Sequence, residues 1–138
     1  MKLQFLGTRG NIEAHTTEHC NHTALSLGYR GRRVIIDCGG DWVNDARAWK
    51  AKAIVITHAH PAHVDGLRRG ATCPVYATRE SWKLIGGFPI RERFTIPPRR
   101  KYLIAGMTFV AFPVEHSLRA PAVGYRITAG KNHYLLLS

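Results

Sequence analysis

Between residues 53 and 63 the chain passes without a break from a wholly apolar run, Ala53-Ile54-Val55-Ile56, into Thr57-His58-Ala59-His60-Pro61-Ala62-His63. A strand with no polar position is covered on both faces, because a solvent-facing side would show alternation. The chain is therefore expected to be layered, with this strand inside a sheet that other elements sandwich. Three histidines in six residues at the end of such a strand have a chemical reading. Buried imidazoles need partners, and neutral imidazole nitrogens are well suited to zinc and similar ions. His58 and His60, two apart on extended backbone, point the same way. His63 follows one helical turn after His60 and faces a second point nearby.

The surrounding pattern predicts a layered α/β domain. Residues 2–6 alternate polar and apolar and read as a half-buried strand turning at Gly7. Residues 8–22 read as a long loop, the kind that is functional or disordered. Residues 23–29 and 33–38 form a hairpin around Gly31. Asp41 is expected to cap a helix over 42–49, with Trp42, Ala46 and Trp49 packed on the sheet. Further helices are predicted over 62–69 and, capped by Thr78, over 79–85, where Gly86-Gly87 and Pro89 stop it. Residues 74–77 form a short strand, and 86–101 a connection. Strands follow at 103–104, 107–112, 122–128 and 134–137, broken by Gly106, Pro113 and Gly130. The whole of 1–138 reads as one domain. The final Leu135-Leu136-Leu137 reads as an exposed strand ending mid-fold, which predicts a homo-oligomer.

The histidine segment resembles the His-x-His-x-Asp-His signature of the metallo-β-lactamase superfamily. Phe5-Leu6-Gly7-Thr8-Arg9-Gly10 is similar to the opening strand and loop of its ribonuclease Z-like and phosphodiesterase branches. Val34-Ile35-Ile36-Asp37-Cys38-Gly39 resembles the hairpin that closes beside the metals, and Val114-Glu115-His116-Ser117 the segment of the next ligand. The resemblance runs through the whole chain, which is shorter than the family's usual length. It implies the N-terminal part of an αββα sandwich, incomplete at the C-terminus, and a hydrolase that uses one or two zinc ions, or manganese or iron. It implies that His58, His60 and His116 ligate a first metal, that His63 ligates a second, and that Asp37 orients a ligand imidazole. Taken alone, Asp37 also suits a strand-end turn.

Two departures bear on chemistry. Ala62 stands where the family has an Asp that ligates the second metal, and the family's last two ligands have no counterpart. A methyl group cannot ligate, so the first site keeps three imidazoles and the second only His63. Asp65 is expected to cap or to face solvent. The implied activity is attack of a metal-activated water on a phosphodiester, ester or amide, impaired in this form. The alternative is an inactive binding or scaffold protein on the same fold.

Composition narrows the setting. The formal charge of +11 attracts nucleic acid, phosphorylated metabolites or anionic lipid, or serves solubility alone. The cations form no aromatic-interleaved stripe for gripping single strands. The partner is expected to be a phosphate-containing or ester small molecule, or nucleic acid, and not a membrane, since no apolar run is long enough to cross one. The N-terminus does not read as a signal peptide. Cys20, Cys38 and Cys73 follow no disulfide spacing and are expected to be reduced, in the cytoplasm. His15, His19 and His22 crowd the first loop with Cys20 in no closed zinc pattern, and His133 reads as surface. Ser26, Ser81 and Ser117 lack a nucleophile elbow, and Gly7-Thr8-Arg9-Gly10 lacks the ending of a phosphate loop.

Overall fold

Strand β4 (Ala53–Val55) is buried at all three positions, as an apolar run with no polar face requires. It lies between two parallel neighbours, β3 (Arg32–Ile36) and β5 (Val75–Ala77). The computed structural model describes residues 1–10, 21–44, 50–116 and 119–136. On one side of β4 the sheet continues antiparallel through β3 to β2 (Ala24–Tyr29) and β1 (Lys2–Gly7). On the other it ends, beyond β5, at β6 (Arg93–Thr95), giving the order β1-β2-β3-β4-β5-β6. A second, antiparallel sheet runs β10-β9-β8-β7, built from β7 (Lys101–Ile104), β8 (Met107–Val114), β9 (Ala122–Ala129) and β10 (Asn132–Leu136).

The two faces of the first sheet bury different partners. Leu27, Val34, Ile36 and Val55 meet Met107, Phe109, Tyr125 and Ile127 from the second sheet. Ile35, Ile54 and Val75, aligned across β3, β4 and β5, face the opposite way. They pack with Val64, Leu67 and Ile85 from the helical segments. These are α1 (Pro61–Val64), continued by a 3-10 turn over Asp65–Leu67, and α2 (Arg79–Ile85). Thr78 caps α2 as expected, its hydroxyl accepting from the Ser81 N–H. The result is a helix layer on a sheet on a second sheet, the layered order expected from β4.

Several local expectations need correction. β1 is mostly exposed, with Phe5 64 % accessible, because it is the outer strand of its sheet and pairs only with β2. β6 lies inside the expected connection. It is an exposed edge strand of Arg93, Phe94 and Thr95, so it carries no apolar signal. Pro113 continues β8 instead of breaking it, since β7 pairs only as far as Val110 and a missing donor costs least where a strand becomes an edge. The helix expected over 62–69 begins at Pro61, a favoured first position, and tightens after Val64. Only a 3-10 turn over Gly40–Trp42 stands where a helix over 42–49 was expected; 45–49 lie outside the described residues.

Candidate metal centre

The histidines sit where β4 and β8 deliver them to one end of the sheets. His58 follows β4 by three residues and is fully buried. His60 is the extended residue before α1, and His63 lies within that helix. His116, exposed, arrives from the end of β8. His58 Nε2 and His60 Nδ1 are 3.1 Å apart, and His60 Nδ1 and His116 Nε2 are 3.3 Å apart. One nitrogen from each of the three rings lies within 4.8 Å of the others. A tetrahedral zinc with nitrogens at about 2.0–2.1 Å would hold them about 3.4 Å apart. These separations fit that donor set, so the three rings suit a single ion.

Asp37 organises the centre from beneath. Its Oδ1 accepts the Thr57 N–H at 2.8 Å, and its Oδ2 accepts the Thr57 hydroxyl at 2.7 Å. The His63 Nδ1–H donates to the same Oδ2 at 2.7 Å. A hydroxyl has one proton. Since Thr57 gives its proton to Asp37, its oxygen accepts from His58 Nδ1, 3.0 Å away. Each imidazole is thereby held in the tautomer that leaves Nε2 with a lone pair, the role supporting groups play around metal-binding histidines. Asp37 adopts φ of 62°, a left-handed conformation that Asp tolerates. The backbone turned there sends the Cys38 N–H to the His63 carbonyl at 2.7 Å.

Burial and the neighbouring rings His63, His116 and His60 push His58 down to about 3, so it is neutral at physiological pH. Burial, with His116 and His63, also lowers His60. Behind the loop, the Tyr125 hydroxyl donates to the Ile56 carbonyl at 2.7 Å, and the Val123 N–H donates to the Thr57 carbonyl at 3.0 Å. β9 thus fixes the segment that carries His58. A cavity of about 340 Å³ between Phe5, Leu25, Ile36 and Leu136 reaches Asp37, Thr57 and His63.

Of the residues singled out in the sequence, His58, His60 and His116 converge. His63 lies beside them, its ring 4.0 Å from that of His58, and Asp37 binds it. Ala62 is buried and offers no ligand atom. Asp65 turns away to accept from Arg68 at 3.1 Å. His22 belongs to a separate cluster, its Nδ1 3.0 Å from the Asp41 carboxylate that also pairs with Arg9. Trp42 is a packing residue whose indole donates to the His22 carbonyl. Cys38 and Cys73 are buried free thiols, and His133 is exposed. His15, His19, Cys20, Trp49 and Ser117 lie outside the described residues. Thr57 and Tyr125 are the positioning residues that sequence reasoning missed. Thr57 had a signal, standing between the buried strand and the first histidine; Tyr125 had none beyond its strand.

A family profile described as a β-lactamase superfamily domain matches residues 32–136. The chain belongs to the metallo-β-lactamase superfamily. A relative named ribonuclease Z from Methanococcus maripaludis is 28 % identical, over 91 % of this chain and 49 % of its own length. The metallo-β-lactamase-fold protein YhfI from Bacillus subtilis superposes with a TM-score of 0.77 at 13 % identity, covering 96 % of this chain and 60 % of that one. A diphosphatase of the PhnP family superposes at 0.69 with 24 % identity, covering 91 % and 61 %. The chain spans about half the length of the curated relatives it matches.

Proposed function

We propose that this chain is the first-metal half of a zinc-dependent phosphodiesterase, with manganese or iron as possible substitutes and nucleic acid as the favoured substrate class. The observation that carries it is the convergence of one nitrogen each from His58, His60 and His116 within 4.8 Å. The ribonuclease Z relatives and the net charge of +11 favour a phosphate-bearing substrate over an ester or amide. A metal held there supplies Lewis acidity and lowers the pKa of a bound water. The chain's own residues do the rest. His58, His60 and His116 would hold the ion, Thr57 and Asp37 keep His58 and His63 in the tautomer that leaves Nε2 a lone pair, and His63 presents Nε2 for a second ion or a substrate proton. Two buried thiols and the absence of any described helix long and apolar enough to cross a membrane accord with a cytoplasmic setting.

Ala62 favours a second reading, a catalytically inactive member that binds without turnover. With a methyl group at that position the second ion would have His63 alone, and one imidazole holds a divalent ion poorly. The two readings separate in one experiment. After dialysis against zinc, the wild-type chain should retain about one ion. Ala62→Asp should raise retention toward two and raise hydrolysis of bis(p-nitrophenyl) phosphate at least tenfold. Higher zinc content with no gain in hydrolysis would favour the inactive reading, and failure of the wild type to retain any zinc would defeat both.

A further inference from the structure

β8 departs from the pattern that β4 obeys. Its 8 residues, Met107 to Val114, hold one polar side chain, Thr108. A strand so apolar is expected to be covered on both faces. Met107, Phe109 and Ala111 are covered by the first sheet, but Thr108, Val110, Phe112 and Val114, which point the other way, stay partly exposed. Among the described residues the second sheet is the last layer on this side. The adjoining strand shows that the apolar surplus belongs to β8. On β9 the outward residues include Arg126 and Thr128, the ordinary polar choice for a solvent-facing side. An apolar stripe therefore runs along β8, widened by the exposed Leu103 on β7 and Leu135 on β10.

Cations stand on both sides of the stripe. The register puts Lys101, Val110, Arg126 and Leu135 directly opposite one another across the four strands, so they share the outer face. Arg99, whose N–H donates to the Ala111 carbonyl at 2.7 Å, lies on the Lys101 side. Arg99, Val110, Phe112, Arg126 and Leu135 line a shallow groove of about 450 Å³. Gly124, opposite Phe112, has no side chain, and the Phe112 ring leans into the place where one would stand. A Cβ on Gly124 would lie 2.7 Å from Phe112 Cζ, so the floor is continuous. Lys101 and Arg126 are two strands apart, about 10 Å, the width of an α-helix. From Thr108 to Val114 the stripe is about 20 Å long, the length of about 13 helical residues. None of the three cations enters an ion pair among the described residues. A second copy of the same face would set these cations against their own kind. A single-stranded nucleic acid needs aromatic rings to stack on, and Phe112 is the one ring among the described residues of the groove.

We infer that this stripe is a docking surface for an amphipathic helix of a partner polypeptide, apolar on one face and acidic on both flanks. Its apolar side chains would settle on Val110, Phe112 and Val114. Its carboxylates would reach Arg126 on one side and Arg99 and Lys101 on the other. Docking there requires no metal, so the test is run with metal chelated. The probe is a fluorescein-labelled peptide of about 14 residues, with leucines on one helical face and glutamates on both flanks. Fluorescence anisotropy follows binding and circular dichroism follows helix formation. The peptide should bind the wild type and gain helical signal as it does so. Lys101→Glu with Arg126→Glu reverses one cation on each side. This protein should bind the acidic peptide about tenfold more weakly, and should bind a lysine-flanked version better than the wild type does. Arg79→Glu with Lys83→Glu makes the same change in net charge on α2, in the helix layer, and should lose far less. Leu103→Ser with Leu135→Ser, at two exposed positions on which the fold does not depend, keeps every cation and should weaken binding several-fold. Failure of the wild type to bind the acidic peptide, whether the face is vacant or taken by a second copy, would overturn the inference. So would binding without a helical signal, equal losses in the two charge-reversed proteins, or an unaffected leucine double variant. A single-stranded RNA that the Lys101 and Arg126 reversal weakens more than it weakens the peptide would assign the face to nucleic acid instead.

Discussion

Asp37 ties Thr57 to His63 without touching a nitrogen of the converging trio His58, His60 and His116. Its two oxygens hold Thr57 twice and His63 once, and through Thr57 they set the proton on His58. Asp37→Asn preserves the shape and removes the charge that the His63 N–H and the Thr57 hydroxyl both address. Loss of such a supporting partner costs about 10–100-fold in metal affinity. Zinc titration of Asp37→Asn should show that loss with the fold intact by circular dichroism; wild-type affinity would mean the rings are held by packing alone. Residue by residue, the cluster was legible in the sequence because His58, His60 and His63 sit close together after an apolar run. His116 is 56 residues from His60 and was readable only through resemblance, since no local pattern tells a lone histidine which distant loop it will meet. Asp37 suited two roles until the fold set its carboxylate beside Thr57 and His63.

Elements whose burial is one-sided or complete were legible, and edges were not. β2, β3, β4 and β5 declared themselves because both faces of their sheet are covered and their apolar residues must be continuous. β1 and β6 are the outer strands of that sheet, with little burial to record, so one was expected too buried and the other went unrecognised. How the β3 loop meets α1 was also hidden, because close backbone approach leaves only a glycine as its mark. A Cβ on Gly39 would lie 2.1 Å from the Ala62 carbonyl oxygen and 2.3 Å from His22 Cβ. Neither contact is a flexible side-chain end, so the segment bearing His60 and His63 would have to shift. Gly39→Ala should therefore cost about 1–3 kcal/mol, the range for overpacking, and should weaken zinc binding as well. Chemical denaturation and zinc titration check both effects. A stable variant that binds zinc normally would show that the loops separate freely.

At the scale of the whole molecule, apolar edges and a large positive charge pull in opposite directions. Phe5 on β1 is 64 % exposed, Leu135 on β10 is 66 % exposed and Leu103 on β7 is 71 % exposed. Among the described residues β10 and β1 each pair with a single neighbouring strand, leaving an edge that can extend the ladder to a second copy. Burying one large apolar side chain is worth about 1.5–3 kcal/mol, so a paired β10 edge has a driving force. Opposing it, two copies of a chain with a formal charge of +11 repel each other. That repulsion is screened over about 10 Å at 0.1 M salt and about 3 Å at 1 M, while the apolar term is not screened. Association through the edges should therefore grow with sodium chloride, and sedimentation velocity should show heavier species in high salt than in low. Leu135→Lys, which adds charge to the edge and removes its exposed leucine, should return the protein to a monomer at every salt concentration. Association that instead weakens as salt is added would mean that ion pairs join the copies, and the sheet edges would have no part in it.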